Sequence, residues 1–138
     1  MLRSTLVAAA LLAATVGAQA ASVAGVARIV DGDTLAVSGV TVRLDGLDAE
    51  EMSEPHGRAA RAALQAAVGV GASVSCSLTG AMTHGRYVAR CFNFRGQDVA
   101  SLVVRSGLAL DCARYSGGRY RSLEPAGVRA RLMQKPYC

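Results

Sequence analysis

The sequence predicts a mainly β fold with helices (α+β), a small closed barrel of five strands carrying two to three short helices. Three observations carry that expectation. Five runs alternate apolar and polar residues with a period of two, and turn sequences containing glycine separate most of them. Between the third and fourth runs stands a segment whose apolar period lengthens to that of a helix. The 138 residues, 51% apolar and 18% charged, exclude a disordered or collagen-like polymer and suit one compact domain, residues 21–138.

Each element follows in order. Ser22 to Val30 is rich in Val and Ala and meets the turn Asp31-Gly32-Asp33, after which Thr34 to Val37 alternates again and completes a hairpin. Ser38-Gly39 makes the next turn. Thr41 to Leu47 then sets Val42 and Leu44 on one face and Thr41, Arg43 and Asp45 on the other, and Asp48-Ala49-Glu50-Glu51 closes that strand. From Gly57 to Val68, Ala60, Ala63, Leu64, Ala67 and Val68 line one side of a helix, and Gly69 and Gly71 end it. Ser73 to Leu78 and Tyr87 to Phe94 form the fourth and fifth strands, joined by a loop carrying Thr83, His84, Gly85 and Arg86. Asp98 caps a second helix, Val99 to Arg105, with Gly107 past its end. A basic tail follows from Cys112, interrupted by Pro125 and Gly127. A helix between strands three and four of a five-stranded barrel is the oligonucleotide-binding, or OB, pattern.

Residues 1–20 read as a secretory signal peptide: Arg3, an apolar run from Leu6 to Val16, and the small-x-small site Ala18-Gln19-Ala20. That run is too short for a bilayer core of roughly 30 Å, so no stable membrane association is expected after cleavage. Export to the periplasm or beyond the cell favours disulfides over zinc for Cys76, Cys91, Cys112 and Cys138, which show no C-x-x-C spacing. Three pairings are open. Cys76 and Cys91 flank a turn and are placed to face each other, which would leave Cys112 for Cys138 and pin the C-terminus.

Arginine supplies 14 of the 15 cations, against 10 acids, a balance that points towards phosphate or other polyanions. Asp33, Asp48 and Glu51 stand at turn or strand-end positions, where carboxylates can converge on a hard cation such as calcium. Arg43 lies on the polar face of the strand leading into Asp48, and Arg86 opens another strand. Two guanidinium groups beside such carboxylates suit an anion between them, and a phosphodiester is the natural candidate.

These residues resemble a known family. Val30-Asp31-Gly32-Asp33-Thr34, Val42-Arg43-Leu44-Asp45-Gly46-Leu47-Asp48-Ala49-Glu50-Glu51, Gly85-Arg86 and Gly107-Leu108-Ala109 are similar to the staphylococcal nuclease (thermonuclease) family, from about Ala27 to Tyr115. The resemblance implies an OB barrel and a calcium-dependent endonuclease that hydrolyses DNA and RNA, leaving 3′-phosphate ends. By that resemblance Asp33 and Asp48 hold calcium with the backbone carbonyl of Ala49, and Glu51 is the general base or orients the attacking water. Arg43 and Arg86 grip the phosphate, and Tyr115 stands where an aromatic residue meets the nucleotide. Two positions depart from the pattern. Glu50 replaces a proline before the catalytic glutamate, and His84 replaces a tyrosine before Gly-Arg, where it can still hydrogen-bond a phosphate.

The expectation is therefore an exported, monomeric nuclease acting on single-stranded DNA or RNA. A binding module that holds single strands without cutting them is the alternative, motivated by Glu50 and His84. A disulfide-stapled envelope protein with a protein partner is a third reading, resting on export and the cysteines.

Overall fold

The computed structural model describes residue 17 and residues 20–138, so the expected export segment lies outside the described residues except at positions 17 and 20. Seven strands and four helices follow one another: β1 (Ser22–Ile29), β2 (Thr34–Val37), β3 (Val40–Leu44), β4 (Leu47–Ala49), α1 (Gly57–Val68), β5 (Ser73–Thr83), β6 (Arg86–Asn93), α2 (Val99–Arg105), β7 (Ala109–Asp111), α3 (Ala113–Ser116), a 3-10 turn (Arg121–Leu123) and α4 (Val128–Arg131).

Five strands close the barrel in the order β1-β2-β3-β6-β5, the OB-like arrangement the pattern foretells. Every pairing in it is antiparallel except β3 with β6. A parallel pair needs a long crossover, and α1 with β5 supplies it. This pairing sets Arg43 against Val88 in register, and so brings Arg43 next to the start of β6, where Arg86 stands.

The barrel interior is filled by Leu35, Val37, Val42, Leu44, Val74 and Ala89, all buried. Helix α1 presents Ala60, Leu64, Ala67 and Val68 to this core, α2 presents Val99, Val103 and Val104, and the two helices pack on each other. Each fully buried Val or Leu contributes about 1.5–3 kcal/mol. Asp98 caps α2 as expected, accepting the Ala100 N–H at 3.1 Å. Helix α1 has no side-chain cap from its own N-cap residue, His56.

Three details differ from the pattern reading. The single strand expected over Thr41 to Leu47 breaks at Asp45-Gly46, where Gly46 takes φ +75°, and its second part becomes β4 in a separate two-stranded sheet with β7. Strand β5 runs on to Thr83, past a register irregularity between Leu78 and Met82, so the joining loop shrinks to the His84-Gly85 turn. The tail also folds into α3, the 3-10 turn and α4, more helices than the two to three expected. Pieces of three or four residues are about one turn long, too short for apolar periodicity to register.

Cys76 and Cys91 face each other across β5 and β6 and are bonded, and Cys112 is bonded to Cys138. Two disulfides suit an oxidising compartment. No helix among the described residues is long and apolar enough to cross a membrane.

Candidate functional site

Asp33 stands in the turn between β1 and β2, where the Asp31 carboxylate accepts its N–H at 3.1 Å. The turn lies against the end of β4 and the first half of α1. A Cβ on Gly32 would come within 2.6 Å of the Ala60 Cβ and 2.8 Å of the Ala49 Cβ, so only glycine permits this approach. Asp33 is buried, its side chain only 10% exposed. Burial pushes its pKa up to about 6, with Arg43 pulling it down and Asp31 adding to the rise.

Two guanidinium groups reach this carboxylate. Arg43 Nη2 pairs with Asp33 Oδ2 at 3.1 Å, while its Nη1 donates to the carbonyls of Leu44 and Leu47 at 3.2 and 3.3 Å. Burial opposes the Arg43 charge, but Asp33 and then the Tyr137 hydroxyl outweigh it and hold its pKa above the usual arginine value. Arg86 Nη1 donates to Thr34 Oγ1 at 2.9 Å and lies 3.9 Å from Asp33 Oδ1, and the Thr34 hydroxyl in turn donates a hydrogen bond to Asp33 Oδ1 at 2.8 Å. Both arginines line a cavity of about 560 Å³, together with Thr79, Thr83, His84, Tyr115 and Tyr137. His84 enters it from the tip of the β5–β6 turn, where His84 and Gly85 both take positive φ, the geometry of a tight two-residue hairpin turn.

The acidic side starts at the end of β4. Asp48 is buried, and that burial raises its pKa against the pull of the Lys135 N–H, the Lys135 charge and Arg43. Ala49 is buried in register with Ala109. Glu51 is exposed, in a tight loop: its N–H is held by the Glu54 carboxylate, and its carbonyl accepts the Glu54 N–H at 2.8 Å. That carbonyl lies so close to Gly57 that any Cβ there would overlap it. Glu50 points inward, and its Oε2 takes both the backbone N–H and the ring Nδ1 of His56 at 2.7 Å. Glu50 thus ties the Glu51 loop to the start of α1.

Folding therefore joins Asp33, Arg43 and Arg86 directly. It sets His84 and Tyr115 on the cavity they share with the arginines, and Arg43 reaches the Leu47 carbonyl next to Asp48 in the chain. Glu51 stands on the loop beyond Asp48, within the electrostatic reach of Lys135. Thr34, Glu54, Lys135 and Tyr137 also belong to the site, and the sequence alone does not single them out as candidates. The cysteine pairing contained a signal for the last two, because a bond from Cys138 to Cys112, just after β7, returns the tail to the side of β4.

Two aspartates and a strand-end carbonyl are, in kind, the oxygen donors a hard cation takes. In this arrangement protein groups engage the carboxylates: Arg43 and Thr34 on Asp33, the Lys135 N–H on Asp48 at 2.9 Å. Among the described residues no three His, Cys, Asp or Glu side chains gather as a metal cage.

No family model matches the chain. The chain is similar to the succinoglycan biosynthesis protein ExoI of Rhizobium meliloti (strain 1021), 31% identical over 110 residues. That match covers 72% of this chain and 58% of ExoI, so the chain spans well under two thirds of the relative's length.

Proposed function

We propose that this protein is an exported, monomeric endonuclease of the thermonuclease type that hydrolyses phosphodiester bonds of single-stranded DNA or RNA. The observation that carries the reading is the convergence of Arg43 and Arg86 on one buried carboxylate at a cavity large enough for a nucleotide. Two guanidinium groups sharing one carboxylate keep donor capacity for a second anion, and a bridging phosphate would take it. The basic composition and the two disulfides support a polyanion substrate and a secreted or periplasmic location.

In this reading Arg43 and Arg86 bind and orient the phosphate and stabilise the charge that builds on its oxygens. Glu51, exposed at the end of its loop, takes the proton of the attacking water. The water oxygen bonds to phosphorus, the bond from phosphorus to the 5′ oxygen breaks, that oxygen takes a proton from solvent water and leaves as the 5′ hydroxyl, and the phosphate stays on the 3′ side. Tyr115 offers a face for a base, and His84 a hydrogen bond to phosphate. Asp33, Asp48 and the Ala49 carbonyl would hold calcium, and its positive charge would supply polarisation of the phosphate.

A second reading, strand binding without cleavage, is favoured by one observation: the Lys135 N–H already engages Asp48. A single assay separates the two. Purified protein is incubated with a labelled single strand, in calcium or in excess chelator, beside the Glu51→Gln variant. Cleavage that needs calcium and is lost in Glu51→Gln supports the nuclease, retention of the strand without cutting supports the binding module, and cutting in excess chelator overturns the calcium-dependent mechanism.

A further inference from the structure

The C-terminal residues after α4 contact both halves of the site. Leu132 is buried beside Leu110 and Val128 and anchors the segment. Gln134 Nε2 donates to the Asp111 carbonyl at 2.9 Å, at the end of β7. The Lys135 N–H then donates to Asp48 Oδ2 at 2.9 Å, and its ammonium sits 2.7 Å from both oxygens of Glu54. Its charge is held by Glu54 and also by Glu51 and Asp48. Two residues on, Tyr137 lines the same cavity as Arg43. Cys138 closes the segment through its bond to Cys112.

These contacts share one property: they take up what ligands of the site would need. A resident ammonium stands among the acids where an external cation would be drawn, and a backbone N–H occupies an oxygen of Asp48. Tyr137 occupies space in the cavity next to the arginine that would grip a phosphate. The disulfide keeps the segment at high local concentration, so it rebinds after any single contact opens.

We propose that residues 134–138 are an autoinhibitory strap that competes, within the molecule, with a divalent cation for the acidic half of the site. The inference rests on the reading of Asp48 as a cation ligand. It accounts for the engagement of Asp48 by a protein group.

The test measures calcium binding directly, by titration calorimetry on the full chain, and does not depend on cleavage. Lys135→Pro deletes both the N–H on Asp48 and the ammonium, Lys135→Met deletes the ammonium alone, so their difference reports the N–H, and Cys112→Ser with Cys138→Ser releases the tether. A hydrogen bond to an ionised carboxylate corresponds to about a tenfold effect or more on a competing equilibrium. Lys135→Pro should therefore bind calcium about tenfold more tightly than the wild type, with Lys135→Met and the double serine variant shifted the same way. Lys135→Met alters one partly exposed side chain, so it keeps the test alive if another variant fails to fold. Calcium binding that is unchanged, weaker or absent in the folded variants overturns the strap. Tighter binding in variants that cut no strand keeps the strap and overturns the nuclease reading, so the two failures are distinguishable.

Discussion

Removing Arg43 and removing Arg86 should have unequal effects on stability and similar effects on catalysis. Arg43→Ala leaves the Asp33 carboxylate, whose side chain is only 10% exposed, without its 3.1 Å partner, and strips a donor from two backbone carbonyls. Breaking a buried pair from one side costs about 3–5 kcal/mol, and the remaining Thr34 hydrogen bond to Asp33 places this case at the low end, about 3 kcal/mol. Arg86→Ala loses one hydrogen bond to Thr34 and a 3.9 Å contact with Asp33, about 1 kcal/mol. In urea denaturation, at a slope of about 2 kcal/mol per molar, the midpoint should fall by about 1.5 M for Arg43→Ala and about 0.5 M for Arg86→Ala. If both grip the phosphate in the transition state, each loss should lower kcat/KM on a single strand by about 100- to 1,000-fold. An Arg43→Ala midpoint equal to wild type refutes the buried-pair argument. Activity losses that merely follow the stability losses, large for Arg43 and slight for Arg86, refute a shared role in catalysis.

Two further predictions concern charge. Asp33 carries a folded pKa of about 6 against an ordinary 3.8, so the fold favours its neutral form and its ionisation costs stability as the pH rises through 6. Asp33→Asn removes that cost but leaves the buried Arg43 guanidinium without its 3.1 Å partner, so at pH 7 its Tm should fall less than that of Arg43→Ala while cleavage and calcium binding are lost; a fall as large as that of Arg43→Ala would refute the burial cost of Asp33. Glu124 has the opposite sign. Burial raises its pKa, but the Arg129 contacts at 2.8 and 2.7 Å and the Asp111 N–H outweigh burial and bring it below the ordinary 4.5. Its stabilisation is present above pH 4.5 and is lost as the pH falls through the folded value, and Glu124→Gln should flatten the fall of Tm measured between pH 5 and pH 3.

The barrel was legible because its signals are local. Alternation in β1, β2 and β6, the lengthened period of α1 and the Asp98 cap each need only a short window of sequence. The same locality hid β4 as a separate strand. Its three residues follow β3 so closely that the run reads as continuous, and its partner β7 is equally short and far along the chain. The tail is hidden in the sequence for a related reason. Lys135 and Tyr137 look like solvated residues near a terminus until Cys138 is placed beside β7.

What the amino-acid order determined alone was the inventory: which residues could ionise, which runs could alternate, and which turns could bend sharply enough to carry Asp33 and His84. Tertiary structure decided which of those groups share a space. The parallel pairing of β3 with β6 set Arg43 beside Arg86, the close approach at Gly32 drew Asp33 towards the end of β4, and the Cys112–Cys138 bond laid Lys135 on Asp48. Each is a contact between segments far apart along the chain. Its strength depends on burial and distance in the folded state, and neither quantity exists until the barrel has closed.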